Sequence, residues 1–158
     1  MKTIIALIAS CLVAATAVAA DIESAPVFQM RLVAETPSAT AEPMVVVLKS
    51  SDRTITNTLN VEKAVLIDQK ALKSASVGKD SFGHPVIDIA FNEKGKEQFA
   101  VVTQQNLHKR LAIVIDGHLI SAPVIQSSIT GGKAQISGSF SKEEATDLAN
   151  KINASVKK

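Results

Sequence analysis

Three histidines, His84, His108 and His118, are the side chains best able to move a proton or hold a metal near neutral pH. Their spacing gives neither a His-x-x-x-His pair nor a cysteine partner, the arrangements a zinc site needs. His84 stands beside Pro85, His108 near a predicted helix end and His118 just after a turn, so each reads as a solvated loop residue. A serine nucleophile on a strand-to-helix elbow would show Gly-x-Ser-x-Gly, which is absent. Ser137-Gly138-Ser139 is no substitute, because it sits in an alternating strand pattern. Gly131-Gly132-Lys133 superficially resembles a phosphate loop. It lacks the earlier glycine and the Ser or Thr after lysine, and it leads into a strand. Asp116 could act as a general acid or base, but Asp116-Gly117 between two apolar runs is explained by a turn. Glu143 and Glu144 fall in the first turn of a helix, where negative charge offsets the helix dipole. Asn153-Ala154-Ser155 matches a glycosylation pattern, one short enough to arise by chance. These residues give no catalytic constellation, no metal site and no cofactor site, and the chain does not read as an enzyme.

Composition narrows the partners. The 158 residues are 46% hydrophobic and 20% charged, enough to bury the core of one domain. Seventeen basic against 15 acidic residues leave a net charge of +2, too slight to favour a polyanion. Aromatic residues are 3%, all of them Phe, so no stacking platform for bases exists and nucleic acid is not an expected partner.

The first twenty residues read as a signal peptide. Lys2 supplies a positive start, Ile4 to Ala15 is apolar or small apart from Ser10, and Ala17-Val18-Ala19-Ala20 offers small-residue cleavage sites after Ala19 or Ala20. The apolar run is short for a membrane span, which needs about 20 residues. Ile8-Ala9-Ser10-Cys11 loosely resembles a lipoprotein cleavage box, which would anchor the chain through Cys11; against it, Leu12 to Ala20 stays apolar. Cys11 is the sole cysteine, so a chain cleaved here forms no disulfide and its fold rests on its core. Residues 21–158 are expected to be one domain of an exported, periplasmic protein.

The elements that position any site follow from periodicity. Phe28 to Val33 alternates as a strand, Ala34 to Pro43 reads as a loop, and Met44 to Leu48 is a β-branched strand ended by Ser50 to Arg53. Val65-Leu66-Ile67 is a short extended piece, after which Asp68 is placed to cap a helix over Gln69 to Ser74, stopped near Gly78. Ile87, Ile89 and Phe91 alternate with Asp88 and Ala90, a strand with one buried face. Asn92 caps the next helix, with an apolar stripe of Phe99 and Val102 joined by Thr103 and Asn106. Leu111 to Ile115 is apolar on both faces and suits a covered central strand. Asp116-Gly117 turns the chain into a return strand, His118 to Ala122, and Pro123 marks an edge or bulge. Thr130-Gly131-Gly132 is a second turn, before a strand in which Ala134, Ile136, Gly138 and Phe140 share a face. Ser141 and Glu144 form a capping box for a helix whose Ala145, Leu148, Ala149 and Ile152 lie on one face, with residues 155–158 as a frayed tail. The sum is an α+β fold: a mostly antiparallel sheet with two amphipathic helices on one face.

One ordered series of segments goes further. Phe99-Ala100-Val101-Val102-Thr103-Gln104-Gln105-Asn106 is followed by Arg110 to Gly117 and then by Ile120-Ser121-Ala122-Pro123-Val124-Ile125. Ile129 to Gly132, Ile136 to Phe140 and Glu143 to Ala149 complete it. Together they resemble the head subdomain of the first periplasmic domain of SecD, in the SecD/SecF protein-export family, most densely over residues 86–152. Phe28 to Val33 and Leu72 to Ala75 look like its weaker upstream parts. The resemblance implies a module that contacts unfolded or emerging polypeptides or components of the Sec translocon, without the proton-driven motor that needs a membrane bundle. It directs attention to Asp116, Gly117, Ser121, Ala122, Pro123, Gly131 and Gly132 as turns and an edge where a partner could be met. An open edge near Ser127-Ser128 is a further expectation, and so is a docking role on a single envelope partner. The family usually has glycine where this chain has His108, so left-handed backbone there would cost about 1 kcal/mol.

Overall fold

The apolar run Leu111–Ile115 is a strand with all five residues buried, and the fold is arranged around it. The computed structural model describes residues 27–49 and 53–157. In chain order its elements are β1 (Phe28–Ala34), β2 (Ala41–Lys49), β3 (Thr54–Asp68), a 3-10 turn (Gln69–Ala71), β4 (Leu72–Lys79), β5 (Pro85–Phe91), α1 (Glu93–Gln105), β6 (Leu111–Ile115), β7 (His118–Ser121), β8 (Lys133–Ser137) and α2 (Lys142–Val156). The fold is α+β, and its strand pairs are antiparallel. They divide between a five-stranded sheet, ordered β2-β3-β1-β6-β7, and a three-stranded one, ordered β4-β5-β8. The expected signal peptide, residues 1–20 with Cys11, lies outside the described residues, as do residues 21–26.

Alternation along β6 feeds two cores. Leu111, Ile113 and Ile115 join Phe28 and Met30 of β1, Ile87 and Ile89 of β5, Phe99 of α1 and Ile152 of α2 in the larger one. Ala112 and Val114 face the other way and pack with Val46, Val61 and Leu119 in a smaller core. Phe28, Ile87, Ile115, Ile136 and Ile152 have no measurable exposure, and each such burial stabilises by roughly 1.5–3 kcal/mol. The smaller core exists because the five-stranded sheet curls until its two outer strands, β2 and β7, pack against each other. Arg31, only 6% exposed, helps hold the curl: its guanidinium donates to the Glu62 carbonyl of β3 and pairs with the Glu42 carboxylate of β2 at 2.8 Å.

Five expectations about elements are corrected. Residues 41–43 belong to β2 rather than to a loop, with Pro43 on an edge strand where its missing N–H is tolerated. The extended piece at Val65 is the end of a fifteen-residue strand. Asp68 does cap a turn, accepting from the Lys70 N–H at 2.8 Å, but that turn stops at Ala71 and β4 replaces the expected helix. A register shift between Leu72 and Ser74 accounts for the misreading: it puts buried Leu72 and Ala75 three residues apart, a helical spacing in a strand. The last strand ends at Ser137, before Gly138 and Phe140, whereas α2 runs on through Val156 and takes up the expected frayed residues 155 and 156.

β4 is an edge strand, and α2 covers it. Asn153 acts there as a strand partner: its Oδ1 accepts from the Ala75 N–H at 2.8 Å and its Nδ2 donates to the Ala75 carbonyl at 2.8 Å. The glycosylation pattern at Asn153 is therefore answered by packing. Asn153→Ala is expected to cost about 2 kcal/mol, because it strands two main-chain groups of a residue only 6% exposed. Thermal melts followed by circular dichroism test this, and an unchanged melting temperature would contradict it.

Candidate functional site

The β6–β7 turn is built as Asp116-Gly117 requires, with φ of 52° and 76° at the two positions. The Asp116 N–H donates to the Val27 carbonyl at 2.7 Å, so the turn is pinned to the start of β1. Its carboxylate meets the Lys151 ammonium of α2 at 2.6 Å. That hydrogen bond and the attached charge hold the Asp116 carboxyl below the usual carboxylate range and raise Lys151 above the usual lysine one. A depressed carboxyl contributes stability above its unfolded-state pKa and loses it as pH falls through the folded-state value. Both side chains are half exposed, so the contribution is small. The imidazole of His118 donates from Nδ1 to the Asp116 carbonyl at 2.8 Å, a partner that can only accept.

Beyond this turn, β2, β7 and α2 enclose a groove of about 600 Å³. Val45 and Val47 of β2, two residues apart on one face, form one side; His118 and Ile120 of β7 form the other. Phe140 and the α2 face of Glu144, Asp147, Leu148 and Lys151 make the wall, at i, i+3, i+4 and i+7 of one helix. The capping box orients the start of that wall: Ser141 Oγ accepts from the Glu144 N–H at 3.1 Å while the Glu144 carboxylate accepts from the Ser141 N–H at 2.8 Å. Val45 and Val47 stay 51% and 44% exposed, unusual for valines beside a core. Among the described residues, β2 and β7 each have a single hydrogen-bonded strand neighbour, and the two strands pack against each other beside the groove.

The sequence-derived candidates divide around this groove. Asp116 and Gly117 stand at its end, through the bond from Asp116 to Lys151. Ser121, Ala122, Pro123, Gly131 and Gly132 do not line it. Pro123 lies past the end of β7, where its carbonyl accepts from the Leu111 N–H at 2.9 Å and, next to it, the Ala122 carbonyl accepts from Arg110 Nε at 3.0 Å. Gly132 has φ of 68° and its carbonyl accepts from the Phe91 N–H at 3.0 Å, extending the β5–β8 pairing. Ala122, Pro123 and Gly132 thus each lend a carbonyl to the packing of neighbouring strands and loops. The expected edge near Ser127-Ser128 is not one: Ser128 Oγ donates to the Ala100 carbonyl at 3.4 Å, and the next N–H, of Ile129, bonds buried Thr103 Oγ1 at 3.0 Å. The loop is fastened to α1. Sequence reasoning missed Val45, Val47, Phe140 and Leu148 as groove residues; the alternation of Val45 and Val47 with buried Val46 was the available signal.

The histidines stay apart, on the β4–β5 turn, on the α1–β6 connection and on β7. His84 pairs with Asp80 at 3.0 Å beside a second hollow that Ser137, Ser139 and Ser141 also line. The Asp80 carboxylate is occupied in its turn. Partial burial raises its pKa, but hydrogen bonds from the His84 ring and from the His84 and Phe82 N–H groups outweigh this and leave it lowered. His108 adopts φ of 65°, the left-handed backbone whose cost the sequence flagged, and its N–H donates to the Ile125 carbonyl at 2.9 Å. Among the described residues no group of three His, Cys, Asp or Glu side chains is placed to hold a metal ion.

A family model described as SecDF, P1 head subdomain, matches residues 45–156. The protein translocase subunit SecD of Sebaldella termitidis is 49% identical over 89 residues, 56% of this chain and 22% of the relative. That of Aquifex aeolicus is 46% identical over 89 residues, 56% and 18% of the two chains. The chain thus spans about a fifth of the length of these curated relatives. A structure of SecDF, described as a membrane component that enhances protein export, superposes with a TM-score of 0.62 at 28% identity, over 82% of this chain and 62% of the other. SecDF in a super-membrane-facing form gives a TM-score of 0.64 at 28% identity, over 82% of this chain and 19% of that one.

Proposed function

The chain belongs to the SecDF P1 head subdomain family, and we propose that it is a non-enzymatic periplasmic module of protein export that holds unfolded polypeptide in the groove between β2, β7 and α2. One observation carries the reading. An apolar groove beside β2 and β7, which among the described residues each have one hydrogen-bonded strand neighbour, offers main-chain hydrogen bonds, which any sequence can use, and apolar contacts that accept many side chains. Binding of this kind is weak and tolerant, as a chain in transit requires. Family membership supplies the export setting, and the signal-peptide reading of residues 1–20 agrees with it. Among the described residues no helix is long and apolar enough to cross a membrane, and the proton-driven work of a membrane complex is no part of this proposal.

A second reading, a module that docks on one folded envelope partner, has its own support. Phe82 is 83% exposed at the β4–β5 turn, held there by Asp80 accepting from the Phe82 N–H at 2.9 Å and the His84 N–H at 2.8 Å. Aromatic side chains, Phe among them, are enriched at protein interfaces. Photo-crosslinking separates the two. A benzophenone probe at Val45 should capture a reduced, carboxymethylated secretory protein, whereas probes at Phe82 or at Ser76 on the other sheet should not. Capture at Phe82 alone, or at all three positions equally, would overturn the groove reading.

A further inference from the structure

We infer that the polypeptide track crosses Phe140 into the hollow beyond it, and takes segments that are apolar along one half and small and polar along the other. The inference rests on the polypeptide-binding reading above and names the class of segment that the site holds. Phe140 is where groove and hollow meet. Together with Ser139 and Glu144 it lines both the groove and the hollow of about 720 Å³ beside the Asp80–His84 pair. Its ring rests against Gly138, where a Cβ would stand 2.6 Å from Phe140 Cζ, so only a residue without a side chain leaves the ring its place. The β5–β8 ladder ends at the pair Val86 and Ser137, and α2 starts at Lys142. Gly138, Ser139 and Phe140 therefore belong to no strand or helix, and no ladder takes up their main-chain N–H and C=O groups. A chain passing over Phe140 meets those groups at the crossing, where main-chain bonds hold any sequence. The linings differ on the two sides. Val45, Val47 and Leu148 make the groove surface apolar, whereas Ser137, Ser139 and Ser141 bring hydroxyls to the hollow. Each hydroxyl can donate, Ser141 included, since its Oγ serves the cap as the acceptor from the Glu144 N–H.

The test uses one labelled peptide of about five residues with alternating apolar side chains, the usual length of a strand, and two of about ten residues that add Ser, Gly and Asn after or before that apolar half. Binding to the full chain is read by fluorescence anisotropy. One of the two longer peptides, in the order set by the direction of the track, is expected to bind about fivefold more tightly than the short one, the worth of about one net hydrogen bond. Location is read separately, with unlabelled peptides. The chain has neither Trp nor Tyr, so Val47→Trp and Ser137→Trp, both at exposed positions, each place a single indole, the first in the groove and the second in the hollow. The tighter peptide should shift the emission of both variants, and the short peptide that of Val47→Trp alone. Ser139→Trp serves as a second reporter, at the crossing. If neither longer peptide gains over the short one, or if the gain comes with Ser137→Trp and Ser139→Trp both silent, the crossing is overturned and the polypeptide reading stands. If no peptide binds while a reduced, carboxymethylated secretory protein does, the inference again fails alone. If Val47→Trp is silent with every peptide and with that protein, it fails together with the reading it rests on.

Discussion

Gly95→Ala is expected to destabilise the fold by about 2–3 kcal/mol, although alanine is the better helix former by about 1 kcal/mol. Gly95 lies buried in the first turn of α1, where its N–H donates to the Asn92 cap at 2.8 Å. A Cβ there would stand 2.0 Å from the Ala71 carbonyl oxygen and 2.9 Å from the Ala71 Cβ. The carbonyl cannot simply retreat, because it accepts from the Asn92 N–H at 3.0 Å, and Asn92 Nδ2 also donates to the Lys70 carbonyl at 2.8 Å. The substitution therefore pries α1 from the 3-10 turn and loosens the contact that lets Phe99 stack on Phe91, with ring centroids 4.5 Å apart. Gly131→Ala is the matched control, since its Cβ would meet nothing within 4 Å and its φ is not positive. With neither Trp nor Tyr in the chain, urea unfolding is best followed by far-ultraviolet circular dichroism. A Gly95→Ala midpoint at or above that of the parent chain would contradict this account of the joint.

How much of this could be read from residues alone depends on how local each cause is. α2 was legible because Ser141, Glu144, Ala145, Ala149 and Ile152 state its cap and its buried face within one short stretch. β6 was legible because a strand buried on both sides has no polar position to hide, and Asp116-Gly117 names its own turn. β4 was not, since a single bulge converts its period of two into an apparent period of three. The outer half of β3 is exposed on Thr and Asn residues and gains its order from pairing with β2, which no local pattern announces. The groove was hidden for a different reason. Its sides come from residues 45–47, 118–120 and 140–151, and they meet only when the sheet curls. The motifs that carried the family resemblance fall largely on scaffold: Pro123 and Gly132 extend strand pairing, and Thr103 ties a loop to α1.

The largest functional effect is expected from Val45→Lys/Val47→Lys. Both valines already reach solvent, so lysines there can place their ammonium groups in water and the fold should keep its melting temperature. A docking chain, by contrast, would have to displace those side chains and desolvate their charges; edge strands use lysine to refuse an added strand. The loss should be about tenfold or more in affinity. The deciding measurement is a binding isotherm of a labelled, reduced and carboxymethylated secretory protein against the parent chain and this double variant, both checked by circular dichroism. Saturable binding by the parent chain and about tenfold weaker binding by the variant at equal stability are expected. Equal binding by the two proteins, or no binding by the parent chain at the highest concentration it tolerates, would contradict the claim that this groove holds polypeptide.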